Sequence, residues 1–119
     1  MTDQPTFTLS RSETGGFQVF HLAGRLMDQQ QADQLMGALD QELDRGQRSI
    51  VLDLGRLQYM NSTGINIMIN VLTRTRKAGG DAILAGVSPS VRQLFLVTKL
   101  DTVFTIVPEV NDAVAKLQA

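Results

Sequence analysis

Two short apolar runs separated by one helix-like segment constrain the fold of this chain more than any other feature. The runs are SIVLDL at residues 49–54 and DAILAGV at residues 81–87. Continuous apolar runs of this length are typical of strands that are buried on both faces of a sheet. Because a strand, a helix and a strand follow one another here, we predict a parallel pair joined by a right-handed crossover.

The N-terminal part predicts a hairpin followed by an amphipathic helix. TFTLS at residues 6–10 and FQVFHLAG at residues 17–24 are strand-like and are joined across a glycine pair, which favours a β-hairpin. The helix that follows has Asp28 as a candidate N-cap and Gly46 as a candidate stop. Its predicted buried stripe consists of Ala32, Leu35, Leu39 and Leu43.

Three further helices and a last strand are predicted in the second half. One helix runs from near Ser62 to about Ala78, and the next has Ser88 as its cap and Pro89 at its first position. A strand at residues 102–107 precedes the closing helix. The order β-β-α-β-α-β-α-β-α predicts an α/β fold, a mixed β-sheet with helices packed against it. The predicted inward residues are Ile65, Met68, Ile69 and Leu72, then Val91, Leu94, Phe95 and Thr98, then Val110, Ala113, Val114 and Leu117.

Length and charge restrict the class of protein. A chain of 119 residues predicts one domain over residues 1–119, with residues 1–5 flexible. Cysteine is absent, which excludes disulfides and thiol catalysis, and no apolar run approaches the roughly 20 residues that cross a bilayer. Because the net charge is −1 and the N-terminus has no secretory leader pattern, we predict a cytoplasmic protein that binds neither nucleic acid nor membrane.

The sequence contains none of the familiar catalytic or nucleotide-binding motifs. It has no GxSxG, GxGxxG, P-loop or HExxH pattern, so we expect no enzyme activity, catalytic residue, cofactor, metal or small-molecule substrate. The only histidine, His21, is interpreted as a structural strand residue. Asp53 lies in an apolar strand and needs a hydrogen-bonded partner there. Bonding to loop amides at the strand end is one interpretation, and a functional role is the other.

The segment YMNSTGINIMI at residues 59–69 is the strongest candidate for a functional site. Asn61 or Ser62 should cap the helix, which places the Thr63 hydroxyl in its first turn, with Gly64 leaving the backbone uncovered beside it. Free N–H groups and the helix dipole favour anions at such a start, so a phosphate on Thr63 would be accommodated. Simple capping explains the same hydroxyls without any modification.

Several stretches of the chain resemble STAS domains, the family of bacterial anti-sigma factor antagonists, and they follow one another in the family's order. IVLDLGRLQYMNSTGINIMI is similar to the family's strand, loop and D-S-[ST]-G-[LI] helix start. ILAGVSPSVRQLFLVTKLDTVFTIV is similar to its later strand, helix and final strand, and LAGRLMD resembles its turn into the first helix. The resemblance covers residues 6–118 and implies an STAS-like fold. The family's aspartate is Asn61 here, and Asn66 stands where a glycine is frequent.

The resemblance implies a function in partner switching. Such proteins bind an anti-sigma factor that is also a serine/threonine kinase of histidine-kinase-like ATPase fold, and phosphorylation of the hydroxyl before the signature glycine releases them. That phospho-acceptor is Thr63 here, with Ser62 as the alternative, and a phosphatase restores binding. The freed kinase typically captures a sigma factor. The implied partner-binding residues are Asp28, Asn61, Ser62, Thr63, Gly64 and Asn66.

Two other functions stay open at the level of sequence. In a constitutive scaffold or assembly subunit, of the stressosome or lipid-transport type, the hydroxyls would only cap the helix. A ligand pocket or a small enzyme would need convergent polar groups in a cleft, and the sequence offers few. Transfer of phosphate from a cognate kinase distinguishes the switch from the scaffold.

Overall fold

The structure, a computed structural model, describes residues 7–118 as a five-stranded sheet with four α-helices. The elements follow the predicted order, with a short 3-10 helix at Leu100–Thr102 added before the last strand. The predicted α/β fold class is therefore confirmed. The expected flexibility of residues 1–5 lies outside the described residues.

Five strands form a single sheet. They are β1 (Phe7–Thr14), β2 (Phe17–Leu26), β3 (Ile50–Met60), β4 (Ala82–Ala85) and β5 (Thr105–Val107), and they lie side by side in that order. β1 and β2 pair antiparallel, and the turn between them uses Gly15 and Gly16 at positive φ. All other neighbours are parallel, and the pair predicted from the two apolar runs is β3 with β4.

Three helices cover one face of the sheet and the fourth covers the other. α1 (Gln29–Asp44), α2 (Ser62–Lys77) and α3 (Pro89–Val97) pack on the larger core, and α4 (Val110–Gln118) packs on the smaller one. Successive right-handed crossovers in one direction place their helices on one face, which explains this division. The starts of α1 and α2 therefore follow the ends of two neighbouring parallel strands. Among residues 7–118, no helix combines the length and apolar character that a membrane crossing requires.

The buried faces of α2 and α3 differ in part from the predicted stripes. In α2, Ile67 and Val71 are buried, whereas the predicted Ile65 and Ile69 are only half-buried at the margin of the core. The prediction assigned Ile65 and Ile69 to the buried face because apolar residues occur on several sides of this helix. Thr98, predicted to face inward, is the exposed C-cap of α3.

β3 is longer and β5 is shorter than predicted. β3 continues through GRLQYM to Met60, because it keeps pairing with β2 as far as Leu26. Asn61 is consequently the single residue between β3 and α2. β5 begins only at Thr105, because the N–H groups of Val103 and Phe104 bond to the carbonyl oxygen of Leu100 in the 3-10 helix.

Candidate functional site

Asn61 is the N-cap of α2, and its side chain makes two hydrogen bonds. Its Oδ1 accepts from the backbone N–H of Gly64 at 3.0 Å, which closes the first turn. Its Nδ2 donates to the carbonyl oxygen of Met27 at 3.1 Å, in the loop between β2 and α1. Of the two candidates for the cap, Asn61 therefore holds the position, and Ser62 is the first residue of the helix.

Asp28 caps α1 as predicted and forms a capping box with Gln31. Its Oδ1 accepts from the N–H of Gln31 at 2.9 Å, and the Oε1 of Gln31 accepts from the N–H of Met27 at 2.7 Å and from that of Asp28 at 3.2 Å. Because the carbonyl oxygen of Met27 accepts from Asn61, the starts of α1 and α2 lie side by side. The structure thus brings Asp28 to the same surface as residues 61–64.

Gly64 is buried at the point where α2 meets the end of β2. A Cβ added there would lie 2.6 Å from the Cβ of Met60 and would clash with the carbonyl oxygen of Leu26. The prediction that Gly64 leaves the backbone uncovered is wrong. The glycine is needed because the start of α2 packs directly on the main chain of β2.

The remaining predicted residues lie at the surface of the first two turns of α2. Ser62 and Asn66 are exposed, and Thr63 is half-buried. The first turn carries no acidic side chain, whereas Arg74, Arg76 and Lys77 lie in the last turn. The positive end of the helix dipole therefore meets no neutralising carboxylate on α2 itself, and a negative group at Thr63 would be stabilised by it.

Two residues near the ends of β2 and β3, shortly before the caps of α1 and α2, were missed from the sequence. Arg25 and Tyr59 are register partners, and the guanidinium carbon of Arg25 lies 5.5 Å from the centroid of the Tyr59 ring. Tyr59 is 41% exposed, which is unusual for a large aromatic side chain in this protein. A cavity of about 300 Å³ lined by Arg25, Met27, Asp28 and Gln31 lies beside them. No sequence signal marked the pair, because GRLQYM reads as a connection rather than as a strand.

His21 and Asp53 form a separate polar cluster with Ser12. The Nδ1 of His21 lies 2.7 Å from the Oδ2 of Asp53, and its Nε2 lies 2.7 Å from the Oγ of Ser12. The other carboxylate oxygen of Asp53 accepts from the N–H of Gly55 at 3.0 Å. Asp53 therefore bonds to a backbone amide, but this amide lies inside β3 and not in a loop at the strand end, because β3 continues to Met60. The same carboxylate also holds the histidine. Within residues 7–118, His, Asp and Glu side chains form no group of three that could hold a metal ion.

Comparison with known sequences identifies relatives over most of the chain. The sequence model of the STAS domain matches residues 9–113. BtrV of Bordetella bronchiseptica, named provisionally as an anti-sigma factor antagonist, is 35% identical over 75 residues, which are 63% of this chain and 65% of that protein. The matched part thus spans slightly less than two thirds of BtrV. An anti-sigma F factor antagonist of Paenibacillus polymyxa is 27% identical over 104 residues, 87% of this chain and 88% of that protein.

Solved structures with the same fold include SpoIIAA, an anti-sigma factor antagonist. Its unphosphorylated form matches with a TM-score of 0.78 at 20% identity and covers 93% of this chain and 96% of its own. The phosphorylated form of SpoIIAA from Bacillus matches with a TM-score of 0.68 at 22% identity, over 92% and 97% of the two chains. At these identities the likeness concerns the fold. Since the STAS sequence model matches residues 9–113, which is most of the chain, this chain belongs to the STAS domain family.

Proposed function

We propose that this protein is an anti-sigma factor antagonist that works by partner switching. The unmodified protein binds an anti-sigma factor kinase through the starts of α1 and α2, and phosphorylation of Thr63 releases it. A serine/threonine phosphatase restores the binding form, and the freed kinase captures a sigma factor. The names of both curated relatives and the existence of SpoIIAA in phosphorylated and unphosphorylated forms support the proposal.

The observation that carries the proposal is the place of Thr63 in the first turn of α2. Asn61 supplies the cap, so the hydroxyl of Thr63 is not required to close the helix. A phosphate on Thr63 would sit where N–H groups and the dipole favour an anion. Modification would therefore change the surface of the protein without opening the helix that carries it.

The surface around Thr63 has the composition of a protein interface. Tyr59 lies two residues before Asn61 and forms an exposed aromatic and cationic pair with Arg25, and both residue types are enriched in interfaces. Asp28 and Asn66 are exposed on the adjoining helix starts. A kinase that covers this surface would meet two helix ends that Asn61 and Met27 hold in fixed relation.

Phosphoryl transfer places Thr63 inside such an interface. Its Oγ1 forms the new bond to the γ-phosphorus of ATP as the bond to the ADP oxygen breaks, and a base of the kinase takes the hydroxyl proton. The product carries nearly two negative charges beside the nucleotide phosphates. Like-charge contact in an interface costs several kcal/mol, and each 1.4 kcal/mol is about tenfold in affinity.

The amide of Asn61 makes a hydrogen bond that the family's aspartate could not make. A carboxylate only accepts hydrogen bonds, so it could not donate to the carbonyl oxygen of Met27. Asn61 thus keeps the cap, adds a bond between the two helix starts, and removes one negative charge from the neighbourhood of Thr63. We infer that the substitution preserves the switch surface.

Titration calorimetry against the cognate kinase tests the proposal with three variants. Thr63→Asp should weaken binding by about tenfold or more, from the like-charge cost. Thr63→Ala should bind nearly as the wild type does and stay bound in ATP, because it cannot be modified. Ser62→Ala is the matched control, since Ser62 is exposed and its loss removes neither the cap nor the acceptor.

Three results would decide against a switch by phosphorylation at Thr63. Equal affinity of Thr63→Ala and Thr63→Asp for the kinase would mean that charge at this position does not control binding. If tandem mass spectrometry located the phosphate on Ser62 of the wild type, Ser62 and not Thr63 would be the acceptor. Absence of any transfer from the cognate kinase and ATP would favour a constitutive scaffold instead.

A further inference from the structure

A hydrogen-bonded chain of Ser12, His21 and Asp53 lies on the face of the sheet opposite α1 and α2. Along β2, His21 points to the same side as Val19, which packs in the core that α4 covers. The Nε2 of His21 contacts the hydroxyl of Ser12, and its Nδ1 contacts the carboxylate of Asp53, both at 2.7 Å. A nucleophile and its base are activated at separations of about 2.6–3.2 Å, with a third group that orients the base.

The two hydrogen bonds fix the direction in which the proton of Ser12 can move. A carboxylate can only accept, so the Nδ1 that faces Asp53 carries the hydrogen of the neutral imidazole. The Nε2 is then the acceptor, and the hydroxyl of Ser12 donates to it. This is the arrangement in which a histidine acts as general base towards a serine.

The hydrogen-bonded chain of Ser12, His21 and Asp53, which we call the relay, is accessible, and two of its residues border a cavity. Ser12 is exposed, and the side chains of His21 and Asp53 are 37% and 30% exposed. A cavity of about 400 Å³ adjoins His21 and Asp53, with Ser10 and Arg56 among the residues that line it.

We propose that Ser12 is a nucleophile that accepts an acyl group from an activated carboxylic ester. The Oγ of Ser12 forms a bond to the acyl carbon, and the bond from that carbon to the leaving oxygen breaks with its electron pair. The proton of Ser12 passes to the Nε2 of His21 and then to the leaving oxygen, while Asp53 stays a carboxylate. The product is a serine ester on β1, distant in the fold from Thr63.

Acetylation by p-nitrophenyl acetate tests this inference on the full chain. We expect release of p-nitrophenol and one acetyl group on Ser12, located by tandem mass spectrometry. Ser12→Ala should lose this modification. Ser10→Ala is the matched control and should keep it, because Ser10 lies on the same strand and lines the cavity but is not the hydroxyl on His21.

Asp53→Asn tests the relay rather than the serine. Its amide can still accept from Gly55 but would donate to the Nδ1 of His21, which moves the ring hydrogen to Nε2 and blocks the base. Acylation of Ser12 should fall by about a hundredfold, the lower part of the range for general-base catalysis. If Asp53→Asn does not fold, His21→Gln is measured in its place.

Each arm has a result that overturns the inference. Acetyl groups spread over lysines, at the same rate in Ser12→Ala as in the wild type, would show that Ser12 has no special reactivity. An unchanged rate in a folded Asp53→Asn, or in His21→Gln, would show that the hydrogen-bond chain is only structural. Thermal melting of each variant establishes that it is folded.

Discussion

Replacement of Gly64 by alanine should destabilise the protein, although alanine is the better helix former. The new Cβ would lie 2.6 Å from the Cβ of Met60, whereas ordinary contacts of a Cβ begin at 3.4 Å, so the start of α2 must move by at least about 0.8 Å. The main-chain oxygen of Leu26 blocks the same space and cannot turn away as a side chain could. Overpacking of this kind costs about 1–3 kcal/mol, which exceeds the gain of at most ~1 kcal/mol in helix propensity.

Gly37→Ala is the matched control for this change. Gly37 also lies inside a helix, α1, but a Cβ added there would have no atom within 4 Å. It should therefore stabilise the protein by about 0.5–1 kcal/mol, while Gly64→Ala should lose about 0.5–2 kcal/mol. With a urea m-value of about 2 kcal/mol/M, the two midpoints should move in opposite directions, by up to roughly 0.5 M and 1 M respectively.

The sign of the shift decides whether the packing argument holds. If Gly64→Ala raised the urea midpoint as Gly37→Ala does, the contact of α2 with Leu26 and Met60 could not be as close as described. A displaced helix start should also slow phosphorylation of Thr63 by the cognate kinase. Normal phosphorylation together with a normal midpoint would refute both parts of the reasoning.

Two further predictions concern the polar contacts that fix the helices. Asn61→Ala should cost about 1–2 kcal/mol and Ser62→Ala at most about 0.5 kcal/mol in urea unfolding, because only Asn61 caps α2 and bonds to the loop before α1. Arg11→Ala should cost about 1–3 kcal/mol, because Glu42 is 2% exposed and loses its nearest cation at 3.1 Å. Arg45→Ala should cost less than about 1 kcal/mol, since Arg45 is 72% exposed and lies 3.6 Å away.

These predictions fail in recognisable ways. Equal losses for Asn61→Ala and Ser62→Ala would mean that the cap is shared between the two side chains. Equal small losses for Arg11→Ala and Arg45→Ala would mean that water or another group compensates Glu42. The second carboxylate oxygen of Glu42 has no hydrogen-bond partner among the described residues, which makes this site sensitive to the loss of Arg11.

The sequence predicts most of the fold because its local signals agree with the tertiary structure. Asp28 and Ser88 cap their helices as predicted, and the two apolar runs form adjacent parallel strands. The misassigned part of α2 has a physical cause, since Ile65 and Ile69 are as apolar as the buried Ile67. Only the position of the sheet decides which of these residues enters the core.

The candidate site is less predictable because its contacts join distant parts of the chain. Nothing in the sequence relates Asn61 to the carbonyl of Met27, or Gly64 to the main chain of Leu26. The cluster of Ser12, His21 and Asp53 uses one residue from each of three strands, and local sequence patterns contain no signal for it. Such contacts depend on register, which propensity and periodicity leave undetermined.

The bond from Asn61 to Met27 ends on a main-chain atom, and this has a consequence for how the two positions can vary among related proteins. Any residue at position 27 presents the same carbonyl oxygen, so the residue type at this position can change without loss of the bond. Position 61 has no such freedom, because the bond to Met27 needs a side-chain donor and the cap of α2 needs an acceptor. Among relatives that keep this link in place of the family's aspartate, an alignment should therefore show a restricted position 61 and a variable position 27, and methods that search for correlated pairs of positions would overlook the link.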